Sequence, residues 1–247
     1  MLDFFKTTKD SFLGKFLRKT LDLIPNGSEV RILRGPLRGK KWIKGAGVNS
    51  YWLGSYENEK VKIFKKFVKK GRVVFDIGAN VGYYSLLAAN LVGPSGKVFA
   101  FEPLRSNFEH LKKNADINFY RNIFPFEVAV SDKSGSALLA FTSSLQSGLA
   151  ENGNIKVKTI GLDDWVDGGN LLMPDLLKID VEGAELSVLK GALNILKKYH
   201  PIIFLSVHSS ELHRLCSEIL LSLGYKLSPI GSYDILETHE ILAIASK

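Results

Sequence analysis

VVFDIGANVGYYS, residues 73–85, is the stretch from which the rest of the chain can be read. Val73, Val74, Phe75 and Ile77 make a short apolar run of β-branched and aromatic types, the pattern of a buried strand. The run stops at Gly78-Ala79-Asn80-Val81-Gly82, where two glycines and an asparagine supply residues that tolerate left-handed backbone. Apolar residues return at Tyr83, Tyr84, Leu86, Leu87 and Leu91, with the spacing of a helix packed on a sheet. Strand, tight turn and helix, in that order, is where α/β proteins bind nucleotides.

The chemistry of the turn narrows the ligand. A dinucleotide-binding turn reads Gly-x-Gly-x-x-Gly. Here the pattern is Asp-x-Gly-x-Asn-x-Gly, with no third glycine and with a carboxylate, Asp76, two residues before Gly78. An anion at that point suits a cationic ligand better than a pyrophosphate. Glu102 ends the next expected strand, Lys97–Phe101, and stands 20 residues beyond Gly82, where an acid accepts both ribose hydroxyls. A nucleoside with a positively charged substituent satisfies both acids, and S-adenosylmethionine, a sulfonium, is such a ligand. A nicotinamide-dependent oxidoreductase would share the sheet and Glu102 but needs a better pyrophosphate turn.

Further along, FEP (101–103), AVSD (129–132), LDDW (162–165) and LLKIDVEGAELSVLKGA (176–192) follow DIGANVGYYS. In content and order these motifs resemble the FkbM family of class I methyltransferases, over roughly residues 51–247. The resemblance implies S-adenosylmethionine as cofactor and O-methylation of a sugar, glycolipid or secondary metabolite. It also implies that a reversed final hairpin completes a seven-stranded sheet. A scaffold that keeps the cofactor pocket without catalysis is the alternative.

Strands and helices alternate downstream. Helices are expected at 104–117, 184–197 and 210–223, and strands at 124–130, 137–141, 155–160, 176–181, 201–207, 225–228 and 241–245. The spacing predicts an α/β fold, a doubly wound and mostly parallel Rossmann-like sheet. Ligands then sit at the carboxyl ends of the strands. Asp76, Glu102, Asp132, Asp180, Glu182 and His208 all fall on that rim. Asp76 and the turn residues Gly78, Ala79, Asn80 and Gly82 are expected to hold the cofactor's methionine end, Glu102 its ribose and Ala129 its adenine. Methyl transfer to an alcohol needs a positioned acceptor and a base. In a fold of this family Asp180 lies beside the transferred methyl and is the first candidate, with Glu182 and His208 as alternatives. Each also has a structural role open to it: Asp180 orienting the cofactor's amino group, and Glu182 or His208 capping a helix. Glu185, in a first helical turn, is read as structural, and Lys178 as pairing with Asp180 or Glu182 or pointing outward. Asp163 and Asp164 are read as caps of the LDDW helix, and no spacing demands a metal.

The charge is uneven. The chain of 247 residues has 33 Lys+Arg and 25 Asp+Glu; residues 1–72 hold 18 and 6 of these, so the remainder is net acidic. The organisation expected is a basic extension, residues 1–70, before a methyltransferase domain, residues 71–247. Residues 1–24 place Phe5, Phe12, Phe16, Leu17 and Leu21 at near-helical spacing among lysines and an arginine. This amphipathic helix either packs on the domain or meets a partner or an anionic membrane surface. Residues 60–72 read as a solvated basic helix, and no nucleic-acid-binding signature accompanies them. Two short strands are expected within residues 29–44. Tyr51, Trp52 and Tyr56 lie in a segment that either covers the pocket or joins the core. Residues 142–154, TSSLQSGLAENGN, read as a mobile substrate loop. One cysteine, Cys216, excludes an internal disulfide, and no apolar segment approaches a membrane span. The expected partner is a small-molecule or glycan acceptor, and the expected location cytoplasmic or peripheral at a membrane.

Overall fold

Val73–Ile77 forms strand β3 and Tyr83–Val92 forms helix α3, with the 78–82 turn between them. The computed structural model describes residues 23–143, 146–149, 155–231, 234–236 and 238–246. The amphipathic helix read over residues 1–24 lies, but for its last two positions, outside them.

Before β3 come the antiparallel pair β1 (Glu29–Arg31) and β2 (Lys41–Ile43), then helices α1 (Ser50–Leu53) and α2 (Asn58–Phe67). After α3 follow β4 (Lys97–Phe101), α4 (Arg105–Asp116) and β5 (Ile123–Phe126). Beyond a second, smaller sheet the main sheet resumes with β10 (Leu176–Ile179), helices α6 (Glu185–Lys190) and α7 (Leu193–Tyr199), β11 (Ile202–Ser206) and α8 (Ser210–Ser222). It closes with β12 (Tyr225–Pro229) and β13 (Glu240–Ala245). The seven strands lie in the order β12-β13-β11-β10-β3-β4-β5, parallel except for β13, which runs against both neighbours. The chain builds outward from β3 to β4 and β5, then returns to lay β10 and β11 on the other side. The order therefore reverses between β3 and β10, where open α/β sheets bind ligands.

Alternation along β3 sends Val74 to one face and Phe75 and Ile77 to the other. The first face buries α3 together with Ile32, Leu37, Trp42 and Phe64 from the segment before β3, so that segment shares one core with the sheet. The second face packs Val188, Leu196, Cys216 and Leu220 from the later helices.

Three expectations change here. The 124–130 run splits into β5 and β6 (Ala129–Val130), because β5 pairs with β4 while β6 leaves the main sheet to pair with β9 (Ile155–Ile160). That second sheet, β6-β9-β7-β8, also contains β7 (Gly135–Ser143) and β8 (Gln146–Leu149). Of the stretch read as a loop, residues 142–143 end β7 and residues 146–149 form β8, antiparallel to it with an irregularity between Phe141 and Ser143, and the remaining residues lie outside those described. Pairing satisfies backbone groups whatever the side chains, so a polar strand leaves little trace in composition.

The third change is the helix expected over 184–197, which breaks at Gly191. A Cβ there would overlap the Ser131 carbonyl oxygen, so only glycine lets this backbone pass the end of β6. The Gly191 carbonyl accepts from Asp163 N (2.8 Å), and the Asp163 carboxylate accepts from Asn194 N and Ile195 N (2.8 and 3.0 Å). Asp163 therefore caps α7 rather than its own helix, α5 (Leu162–Asp167). Gly191→Ala is expected to lower the stability of the chain by about 2–3 kcal/mol, through displaced backbone at a packed contact, as measured by urea unfolding.

Candidate active site

The 78–82 turn sits at the reversal point, against the end of β10. Gly78 has φ +74° and its missing Cβ makes room for the Asp180 carbonyl oxygen; Asn80 holds φ +50° and Gly82 φ +95°. All five amides of the turn are spent internally. Gly78 N and Ala79 N both donate to Phe101 O (3.0 and 2.9 Å), Val81 N to Asn80 Oδ1 (2.8 Å) and Gly82 N to Ala79 O (2.9 Å). Asn80 N donates to Glu102 Oε2 (2.9 Å), and the other oxygen, Oε1, accepts from Leu104 N (2.9 Å). A pyrophosphate would find no amide in this turn, which removes the main reason for a dinucleotide there.

Glu102, 5% exposed, keeps lone-pair capacity for ligand hydroxyls beyond those two amides and the Asn107 side chain. Burial pushes its carboxyl up to about 7, against the opposing pull of the Leu104 and Asn80 amides. Hydroxyl donors favour the ionised form. Nucleoside affinity is therefore expected to be constant above pH 7 and to fall about tenfold per unit below it, as read by calorimetric titration across pH.

The turn opens on a cavity of about 460 Å³, within the range of small-molecule sites. Gly78, Ala79, Asn80, Glu102 and Ala129 are on its wall, and so are Asp180 and Glu182. Asp76, Gly82 and His208 do not line it. Gly82 begins α3 and lies against Leu111 of α4. Asp132 is exposed and accepts from Ser131 Oγ (3.1 Å), off the wall. Tyr51 and Tyr56 line the cavity while Tyr51 also packs with Trp42 and Tyr83, so this segment is both cover and core.

Beneath the wall, Asp76 is 1% exposed and accepts from Ser85 Oγ (2.6 Å). Its strand-register partner is Lys178, whose ammonium lies 3.3 Å from Asp76 Oδ1 and 3.5 Å from Asp180 Oδ2 and donates to Gly78 O (2.9 Å). Burial alone would lower the Lys178 pKa, but Asp76, Asp180 and Glu57 outweigh it and raise it. Lys178 is thus a fixed cation joining β3, the turn and β10. A second buried lysine, Lys60, binds Glu240 Oε2 and Ser206 Oγ (both 2.7 Å) and lies 5.5 Å from the Tyr84 ring centre, as Lys178 does. Lys60 stands four residues before Phe64 and eight before Val68, on the buried stripe of α2 rather than its solvated face.

At the end of β10 and β11 the acids gather round one imidazole. His208 Nε2 is 3.6 Å from Asp180 Oδ1 and 3.3 Å from Glu182 Oε2, and Nδ1 is 2.6 Å from Glu185 Oε1. Glu185 is fully buried and also accepts from Gly183 N (2.9 Å), ahead of α6, and no side chain, Glu182 included, caps that helix. Ser209, not His208, caps α8. The bond to Glu185 raises the His208 pKa. Burial would raise Asp180, but Lys178, Lys60 and His208 together hold it below the usual carboxylate range.

Residues 76–227 match the family model described as the Methyltransferase FkbM domain. The chain belongs to the FkbM family. FkbM membership makes it an S-adenosylmethionine-dependent methyltransferase, and the spent turn amides and buried Glu102 suit a nucleoside whose tail is cationic rather than phosphorylated. Hexuronic acid methyltransferase AglP of Haloferax volcanii is 28% identical over 173 residues, covering 67% of this chain and 70% of its own length. The 2-O-methyltransferase NoeI of Sinorhizobium fredii is 29% identical over 153 residues, 53% of this chain and 61% of its own. Among solved structures, an FkbM methyltransferase from Methylobacillus flagellatus shares the fold at TM-score 0.52 and 20% identity, over 70% of this chain and 43% of that one. No helix among the described residues is long and apolar enough to cross a membrane.

Proposed function

We propose that this FkbM chain methylates a hydroxyl group of a sugar, with Asp180, Glu182 and His208 taking charge of the acceptor's proton. The observation that carries the reading is the position of Asp180 and Glu182 on the cavity wall, with His208 beside them. Asp180 and Glu182 follow β10, two strands from the end of β4 where Glu102 sits, about 10 Å away at ordinary strand spacing. A ribose on Glu102 would point the other end of its nucleoside toward them.

S-adenosylmethionine supplies a methyl group on a cationic sulfur, open to in-line displacement. Asp180 presents negative charge to that cation. Lys178 is committed to Asp76, Asp180 and Gly78 and is not available to the acceptor. Glu182 on the wall, with His208 beside it, draws off the hydroxyl proton and passes it to solvent. With the donor bound, the acceptor oxygen would take the methyl group, and the electron pair of the broken sulfur–carbon bond would stay on sulfur. Tyr51 and Tyr56 give the cavity the aromatic walls common in small-molecule sites. The sugar acceptor is supported by AglP, whose named substrate is a hexuronic acid.

The test is to incubate the purified chain with S-adenosylmethionine and a panel of neutral and acidic glycans. Glycan-dependent S-adenosylhomocysteine and a methyl ether in the glycan's mass spectrum are expected. Cofactor binding without turnover on any glycan would leave the scaffold reading instead. A lipid-linked glycan suits the basic, aromatic-rich residues 1–24. Binding to anionic vesicles that survives their removal would withdraw that link.

A further inference from the structure

We propose that Asp180, Glu182 and His208 hold a divalent cation at the acceptor end of the cavity. The ion's role rests on the methyl-transfer reading; its location does not.

The spacing of the three groups carries the proposal. One oxygen from each acid and one nitrogen from the imidazole lie within 4.8 Å of one another. Nε2 is 3.3 Å from Glu182 Oε2 and 3.6 Å from Asp180 Oδ1. Both distances are long for a charge-assisted N–H···O bond, which closes to about 2.7–2.9 Å. Two ligand atoms each about 2.1 Å from a shared ion, at angles of about 100–120°, stand about 3.2–3.6 Å apart. The cluster's separations are those of a coordination sphere as well as of a loose ion pair.

The other ring nitrogen gives a second, independent sign. Nδ1 makes the short contact, 2.6 Å to Glu185 Oε1, and a proton held there leaves Nε2, the nitrogen turned toward the two carboxylates, as the one open to a ligand ion. That meeting of one nitrogen and two acids is closed either by a proton on Nε2 or by a metal ion that displaces it. Ligating histidines are held in this way, by a carboxylate on the far nitrogen that fixes tautomer and ring orientation. Glu185 is 0% exposed, spends Oε1 on His208 and Gly183 N, and has no hydrogen-bond partner for Oε2. A carboxylate so enclosed is costly to keep unless it serves a neighbouring positive centre. The backbone is shaped to match: left-handed Glu182 (φ 52°) and Gly183 (φ 106°) turn the chain so that Asp180 and Glu182 stand on one side and Glu185 on the other.

Two carboxylates and one imidazole leave open positions toward the cavity, a donor set that suits Mn²⁺, Fe²⁺ or Zn²⁺. An ion there would lower the pKa of the acceptor hydroxyl, so that Glu182 and His208 would act on its proton through the ion rather than as free bases. No redox change is involved.

The full-length chain, stripped with a chelator, is titrated with Mn²⁺ alone, and free Mn²⁺ is followed by its electron paramagnetic resonance signal. One Mn²⁺ bound per chain is expected, with at least tenfold weaker binding in His208→Ala and in Glu182→Gln. Glu185→Gln is expected to weaken binding less than either. Each variant is also titrated with S-adenosylmethionine, and retained cofactor binding shows that it has folded. An unquenched Mn²⁺ signal in the parent, or equal Mn²⁺ affinity in the folded variants, overturns the proposal. If the parent binds S-adenosylmethionine but not Mn²⁺, the cation goes and methyl transfer stands. If it binds Mn²⁺ but not S-adenosylmethionine, the cation stands and the methyl-transfer reading fails.

Discussion

Glu102→Gln is expected to weaken S-adenosylmethionine binding by about 100- to 1,000-fold. Two effects add. The charged acceptor of two ribose hydroxyls is lost, and hydrogen bonds to charged groups contribute about 1.5–3 kcal/mol each. The amide side chain also cannot reproduce the local bonding. Both Glu102 oxygens accept from backbone amides, Asn80 N and Leu104 N, so a glutamine must turn its NH₂ group toward one of them. The 78–82 turn loses a support on the side that faces the ligand. Calorimetric titration of parent and variant at pH 8, where Glu102 is ionised, measures the effect. A change smaller than fivefold would remove Glu102 as the ribose anchor.

Lys178→Met should have the largest effect on stability, a loss of about 3–5 kcal/mol in urea unfolding, because removing one partner strands a buried charge. Asp76 would keep only the Ser85 hydroxyl, and its Oδ1, which already has no hydrogen-bond partner, would face hydrocarbon. The Gly78 carbonyl would lose its donor at the same time. Adding Asp76→Asn removes the stranded charge, so the double variant should recover at least 1 kcal/mol of the loss. Strict additivity of the two changes would show that they do not act through the pair.

The parts of the fold that local pattern controls were legible in the sequence. β3, the 78–82 turn and α3 follow from an apolar run, a cluster of residues able to take positive φ, and renewed helical spacing, and they form as read. What stayed hidden depends on partners distant in sequence. Lys60 reads as one more solvated lysine because its anion, Glu240, is on the last strand. Glu185 reads as a first-turn acid because nothing nearby announces His208, 23 residues on. Residues 124–130 look like one strand, and only the choice of partners, β4 for one half and β9 for the other, divides them. For Lys178 a signal was present: a lysine inside the apolar strand LLKI must meet an acid or leave the core, and Asp76 lies opposite it in register.

ATP and the nicotinamide dinucleotides would offer Glu102 the same adenosine as the methyl donor. Their phosphates, however, would arrive at a turn whose five amides are already taken. On the proposed function, the turn would give a phosphorylated tail nothing that a sulfonium tail lacks. Methylation by this chain should proceed independently of the cell's nucleoside triphosphate level.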